Sequence, residues 1–217
     1  MKSIKRLWFV FGDEMELDQV LKERKSVRRF KKLDVPWYLI TECLEAATLA
    51  PNSGNVQNWR FIVVRNPQNR DVVIKCCEEQ YWMLHAPVLL VVCSDLTKIR
   101  RLFSIRGEAL YSVQNCAAAM ENLILKAHEL GLGSTWIGAF DETKINAALN
   151  ITGDVRAQAI IALGYSDEIE EKAKREPLDN VVSFEHYGQR QDTTRGVYPV
   201  VDKVSKHVND FVSKLKK

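Results

Sequence analysis

The chain has 217 residues, 46% hydrophobic and 27% charged, which suits one globular domain with a substantial core. Its net charge of +3 is only mildly basic, and the basic residues at its ends (Lys2, Lys5, Arg6; Lys214, Lys216, Lys217) suit solubility better than a nucleic-acid footprint. The apolar run Leu7–Phe11 is too short for a secretory core or a membrane span, so a cytoplasmic protein is expected.

Cys43, Cys76, Cys77, Cys93 and Cys116 lie in apolar segments without a C-x-x-C pair. His85, His128, His186 and His207 are scattered. Both patterns point to buried reduced thiols and away from a metal site.

In chain order, Asp13 and Glu16 read as a capping pair. Leu17, Val20 and Leu21 then mark one face of a helix. That helix runs out in Arg24-Lys25-Ser26-Val27-Arg28-Arg29-Phe30, where cations surround one hydroxyl. Alternate residues of an extended segment face one side, so Arg24, Ser26 and Arg28 can converge on a ligand. Arginine suits fork-shaped binding of phosphate and serine adds a donor. A solvated basic turn is the alternative.

A second helix starts with Pro36, acceptable in a first turn, and carries its apolar face through Ala46, Ala47 and Ala50. Pro51 stops it, lacking an N–H and clashing with the preceding turn. Asn52, Ser53, Gly54, Asn55 and Gln57 then gather amides and a hydroxyl ahead of Trp59–Val64, a strand by its β-branched and aromatic content. Each amide offers a donor and an acceptor, as the edge of a heteroaromatic ring requires. An ordinary polar turn has the same composition.

Pro67 and Asn69 open a helix over Asp71–Gln80, and Val88–Cys93 reads as a strand buried on both faces. Leu96–Gly107 is a less regular helical segment. Glu108–Leu130 is the longest helical signal, with Leu110, Val113, Ala117, Met120, Leu123, Ile124 and Ala127 at helical spacing and Gly131 as terminator.

The segment from Gly131 to Phe140 contains G-x-G, but Trp136 stands where a dinucleotide fingerprint needs its third glycine. Trp136-Ile137 reads as a short strand, and Gly138-Ala139 lets backbone approach a flat ligand. A short helix Glu142–Leu149, a buried strand Ala157–Leu163 and a charged loop Asp167–Glu176 follow. A C-terminal amphipathic helix over about 198–216 ends the chain, its stripe formed by Val201, Val204, Val208, Phe211, Val212 and Leu215. Helices interleaved with four strand candidates indicate a mixed α/β or α+β fold. The terminal segments look like arms whose stripe needs a partner, which favours an oligomer.

Four of these segments, in order, resemble the nitroreductase family of flavoproteins. Arg24–Phe30 is similar to its R-x-S-x-R opening, and Ala50–Trp59 to its A-P-S-x-x-N-x-Q-P-W loop. Gly131–Phe140 is similar to its GLGS-x-WIG-x-F segment. Gly164-Tyr165 followed by Lys174-Arg175-Glu176-Pro177-Leu178 is similar to its closing G-Y … K-x-R-x-P-L.

The resemblance implies an α+β fold, a three-layer α-β-α sandwich around a mostly antiparallel sheet. It implies a single FMN-binding domain over 1–217, its core about 16–188, forming a homodimer with extended terminal arms. FMN would sit at the subunit interface, with NADH or NADPH as electron donor and nitroaromatics, quinones or similar small molecules as acceptors. By resemblance, Arg24, Lys25, Ser26 and Arg28 contact the FMN phosphate, ribityl chain and pyrimidine edge. Pro51, Asn52, Ser53, Asn55 and Gln57 contact the flavin from the other subunit, and Ile137, Gly138 and Ala139 lie along the ring. Arg175, with Lys174 or Lys172, holds the phosphate.

No side chain need act as nucleophile, because the cofactor carries the chemistry and the two substrates use one flavin face in turn, a ping-pong scheme. The chain departs from the family pattern at Asn58, where proline is usual, at Asn52, where serine is common, and at Ala173, where a lysine is expected. Dehalogenation or dehydrogenation on the same cofactor, and flavin binding without turnover, are the alternative functions.

Overall fold

The computed structural model describes residues 15–78, 80–167 and 173–190. The chain divides into two units, Met1–Lys172 and Ala173–Lys217. In the first, a four-stranded sheet of order β1-β2-β4-β3 is built from β1 (Trp59–Val64), β2 (Val88–Asp95), β3 (Gly133–Ile137) and β4 (Val155–Gly164). Its three pairings are all antiparallel, with a register shift between Val92 and Cys93 where β2 meets β4.

Both faces of the sheet are covered, so its central strands are buried almost throughout. Alternate residues of a strand face opposite sides. Leu90, Val92, Ile161 and Leu163 therefore pack with Ile40 and Cys43 of α2 (Trp37–Thr48) and with Met120 and Leu123 of α5 (Ser112–Glu129). Their neighbours Leu89, Val91, Ile160 and Ala162 pack with Val73 and Ile74 of α3 (Pro67–Lys75) and with Ile145 of α6 (Glu142–Ala148). The result is the three-layer α-β-α arrangement expected from the motifs. Each fully buried Leu or Ile contributes roughly 1.5–3 kcal/mol of transfer free energy, so both layers hold the sheet.

Several boundaries differ from the sequence reading. Helix α1 (Leu17–Glu23) has Glu16 itself at the N-cap with no side-chain cap bond, and Asp13 lies outside the described residues. Only Val20 of its apolar stripe is buried, leaving Leu17 and Leu21 exposed. Helix α3 begins earlier than predicted, at Pro67, because Asn66 accepts hydrogen bonds from the N–H groups of Gln68 and Asn69. It ends at Lys75, and Cys76–Glu78 of the predicted remainder form a turn ahead of the 3-10 segment Tyr81–His85.

Helix α4 (Leu96–Arg106) is broken at Ser104, whose φ of 51° and ψ of −143° are not helical. The start of the predicted long helix is a π-helical turn, Gly107–Tyr111. In the second unit the described residues hold one short helix, α7 (Leu178–Val181), after Pro177. The predicted C-terminal amphipathic helix and the terminal arms lie outside the described residues.

Candidate functional site

The basic segment is pinned by its two apolar residues. Val27 and Phe30 are buried, which leaves Ser26, Arg28 and Arg29 exposed and Arg24 and Lys25 half-buried. The Val27 N–H donates to the Ser134 carbonyl at 3.0 Å, and the Thr135 hydroxyl donates to the Val27 carbonyl. Isolated bridges join Ser26 to Ser134 and Phe30 to Ser166. Gly133 permits this approach: a Cβ there would stand 2.8 Å from Val27 Cγ2. Ser26 and Arg28 therefore flank the buried Val27 along the outer edge of β3, with Arg29 exposed beside them. The Arg24 N–H closes α1 by donating to the Val20 carbonyl at 2.9 Å.

At the end of β3, Ile137 is buried while Gly138 and Ala139 are exposed. A Cβ built on Gly138 meets nothing within 4 Å, so an open space lies against the backbone there. Two residues that the sequence reading passed over flank this region. The Gln80 side-chain amide donates to the Ala139 carbonyl at 3.1 Å. The Arg28 guanidinium carbon lies 6.0 Å from the centroid of the Trp82 ring, a cation–π distance that helps fix its head.

The amide loop lies at the opposite edge of the sheet, just ahead of β1. Ser53–Asn55 form one 3-10 turn, and Asn55 and Gln57 adopt left-handed backbone with φ of 53° and 49°. Asn52 Oδ1 accepts the Gln57 N–H at 2.9 Å, and Gln57 Nε2 donates to Asn55 Oδ1 at 2.9 Å. Pro51, Asn55 and Gln57 are exposed, whereas Asn52 and Ser53 are half-buried.

Arg60 closes the far side of the loop, donating to the carbonyls of Gln57 at 3.2 Å and Trp59 at 2.8 Å and to Asp95 at 2.8 Å. Burial opposes ionisation of Asp95, but hydrogen bonds from Thr97 and the Arg60 charge hold its carboxyl below the usual carboxylate value. Asn115 of α5 was also missed. It is 3% exposed and accepts from both the N–H and the hydroxyl of Ser53. The available signal was an amide one and two turns ahead of Ala119 and Leu123 on the buried face of α5.

Strand order separates the two groups. With β1 and β3 at opposite edges, the amide loop and the basic segment are three strand spacings apart, roughly 14 Å across the sheet at about 4.8 Å per spacing. They also lie at opposite ends of it: Trp59 is level with Ser94 and Arg156, whereas Ser26 is bridged to Ser134, level with Leu163, about 24 Å further along β4 at about 3.4 Å per residue. Lys174 and Arg175 are exposed in the second unit, and Lys172 lies outside the described residues. The thiols are not poised for chemistry: burial raises Cys43, Cys77 and Cys116 to about 12 and Cys93 to about 11. Among the described residues no His, Cys, Asp and Glu group suits a metal ion, and no helix is long and apolar enough to cross a membrane.

The structure defines an α+β sandwich with an antiparallel sheet layered between helices and a polar segment at each sheet edge. The chain belongs to the nitroreductase family, whose model matches residues 21–80 and 68–165. It is 33% identical over 159 residues to a putative NADH dehydrogenase/NAD(P)H nitroreductase of Methanothermobacter thermautotrophicus, covering 71% of this chain and 80% of that one. It is 27% identical to an iodotyrosine deiodinase of Thermotoga neapolitana, covering 73% and 93%. A solved structure of an FMN-dependent nitroreductase from Clostridium difficile R20291 superposes with a TM-score of 0.67 at 28% identity, covering 77% of this chain and 98% of that one.

Proposed function

We propose that the protein is a cytoplasmic, FMN-dependent NAD(P)H oxidoreductase that reduces nitroaromatics, quinones or similar small acceptors as a homodimer. The observation that carries this reading is the separation of its two ligand-type segments. A phosphate-type set (Arg24, Lys25, Ser26, Arg28) borders β3, and a ring-edge set (Pro51, Asn52, Ser53, Asn55, Gln57) borders β1. A flavin mononucleotide touching both sets takes them from two copies of the chain. Leu49 and Ile105, 82% and 80% exposed, are apolar surface that a second copy would cover. The relative named as an NAD(P)H nitroreductase and the neighbour named as FMN-dependent support the same cofactor pair. Five buried, free thiols suit a reducing compartment.

The residues fit FMN. Open space against Gly138 admits a flat ring, with Ile137 and Ala139 beside it. Arg24, Ser26 and Arg28 supply forked and hydroxyl donors to a phosphate dianion. A cation of the basic segment near the pyrimidine edge stabilises the negative charge that builds up there on reduction. The amides of the second copy's loop orient the ring by matching its donors and acceptors. Backbone at the end of β3 would shield one face of a ring held there from water, leaving the other to donor and acceptor. FMN, when bound, supplies the two-electron relay between them.

An anaerobic visible spectrum tests the reading. A flavin band that bleaches on adding NADH or NADPH is expected, and a protein that takes up no FMN refutes it. A second reading keeps the cofactor and changes the reaction to reductive dehalogenation, which the relative named as an iodotyrosine deiodinase supports. Nitroaromatic, quinone and haloaromatic acceptors offered in turn to the reduced protein separate the two.

A further inference from the structure

The ring-edge loop holds a backbone that it does not favour by itself. Asn55 and Gln57 are non-glycine residues in the left-handed region, and such strain persists only where the surroundings over-determine it. Two hydrogen bonds inside the loop tie Asn52, Asn55 and Gln57 to one another, but they do not fix the loop against the core.

The connection to the core runs through a buried amide pair. Asn115 Oδ1 accepts from Ser53 N–H at 2.9 Å and from Ser53 Oγ–H at 3.2 Å. Asn115 Nδ2 donates to Asn58 Oδ1 at 2.7 Å, and the Asn58 carbonyl accepts the Asp95 N–H at 2.7 Å. Asn115 and Asn58 are 3% and 2% exposed, so water does not compete for these bonds. Asn58 stands where the family pattern has proline. This chain thus has a side-chain lock at the point where a ring would stiffen the backbone.

We propose that Asn115, acting through Ser53 and Asn58, is the positioning residue that sets the ring-edge loop for its ligand. The inference rests on the flavin reading for the identity of that ligand. It does not rest on that reading for the lock itself. One atom of the lock is unused: Asn58 Nδ2 is buried without a hydrogen-bond partner. In an Asn115→Asp variant the carboxylate keeps both Ser53 donors, and Asn58 can turn its amide over to present that idle Nδ2 as a third. In an Asn115→Ala variant all of these bonds are lost.

The test uses the full chain and these two variants, with three readouts: hydrogen–deuterium exchange at Ser53 without flavin, FMN dissociation constant, and melting temperature. Asn115→Ala is expected to speed Ser53 exchange and to weaken FMN binding about 10- to 100-fold, the loss of a buried hydrogen-bonded anchor. Asn115→Asp is expected to restore FMN affinity to within about threefold of wild type, since the Ser53 contacts survive. A merely structural asparagine gives a different pattern, in which both variants melt earlier and bind FMN equally badly. That pattern, or an Asn115→Ala variant with wild-type Ser53 exchange, overturns the proposal. Wild-type protein that takes up no FMN overturns the flavin reading instead, while Ser53 exchange still decides whether Asn115 holds the loop.

Discussion

Two glycines at the ends of one strand should respond to substitution with opposite signs. At Gly138 an added Cβ meets nothing within 4 Å, and its φ lies outside the left-handed region. Gly138→Ala therefore introduces no clash and reduces the freedom of the unfolded chain, a gain of about 0.4–1 kcal/mol. In a chain of this size that raises the flavin-free melting temperature by about 1–4 °C.

The same space is where the ring lies in the flavin reading. Gly138→Val then overfills it at a cost of about 1–3 kcal/mol, weakening FMN binding roughly 5- to 150-fold. Gly133 is the internal control. Its Cβ would meet Val27 Cγ2 at 2.8 Å and both Val27 Cβ and Cγ1 at 3.0 Å. Gly133→Ala should lower the flavin-free melting temperature by roughly 2–12 °C, from a similar overpacking cost. Differential scanning fluorimetry without flavin, followed by FMN titration of each variant, makes the comparison. A Gly138→Val variant that melts early shows that the space is not open; one that binds FMN normally shows that the ring lies elsewhere.

The remaining expectations need shorter assays. With thiols raised to about 12 (Cys43, Cys77, Cys116) and about 11 (Cys93), a thiol reagent at pH 8 should leave the native cysteines unmodified and label all of them after unfolding. Rapid native labelling would contradict their burial. The folded state holds these protons more tightly than the unfolded chain, so its stability should decline as pH rises from about 9 toward about 12. Arg24→Ala combined with Arg28→Ala should release flavin on gel filtration; a double variant that stays yellow removes the phosphate assignment of the basic segment. Asp95 has a lowered value in the fold, so its contribution is present above the ordinary 3.8 and is lost as pH falls through the folded value. Asp95→Asn should accordingly melt earlier than wild type at pH 7 and converge with it in acid.

The sheet was legible because burial on both faces turns β2 and β4 into continuous apolar runs, which few other structures require. The basic segment and the amide loop stood out because cations gather around Ser26 and amides around Ser53, a composition that a solvated basic turn and an ordinary polar turn share. What escaped was set by geometry that composition does not encode. Ser104 breaks α4 with a left-handed φ and no glycine to announce it. Asn66 shifts the start of α3 by capping it, where the sequence pointed to Pro67 and Asn69. Asn115 carries no signal of its own in the sequence beyond its spacing from Ala119 and Leu123, and only its 2.9 Å bond to Ser53, 62 residues away in sequence, gives it a role.

Strand order, which the sequence did not reveal, gives the dimer reading a test of its own. If the basic segment and the amide loop serve one ligand from two subunits, damage to each should complement. One variant carries Arg24→Ala and Arg28→Ala. The other carries Asn55→Gly and Gln57→Gly, since glycine keeps the left-handed backbone of both positions while deleting the amides. Each homodimer has two damaged sites. In a mixed twofold dimer one site receives both damaged segments and the other receives neither. Random mixing makes half of the dimers mixed, each with one intact site in two, so about one quarter of wild-type flavin occupancy should return. If both segments instead served a ligand within one subunit, every site would stay damaged and mixing would restore nothing. Co-unfolding and refolding the pair, then measuring flavin retained per chain, distinguishes the two arrangements without reference to catalysis.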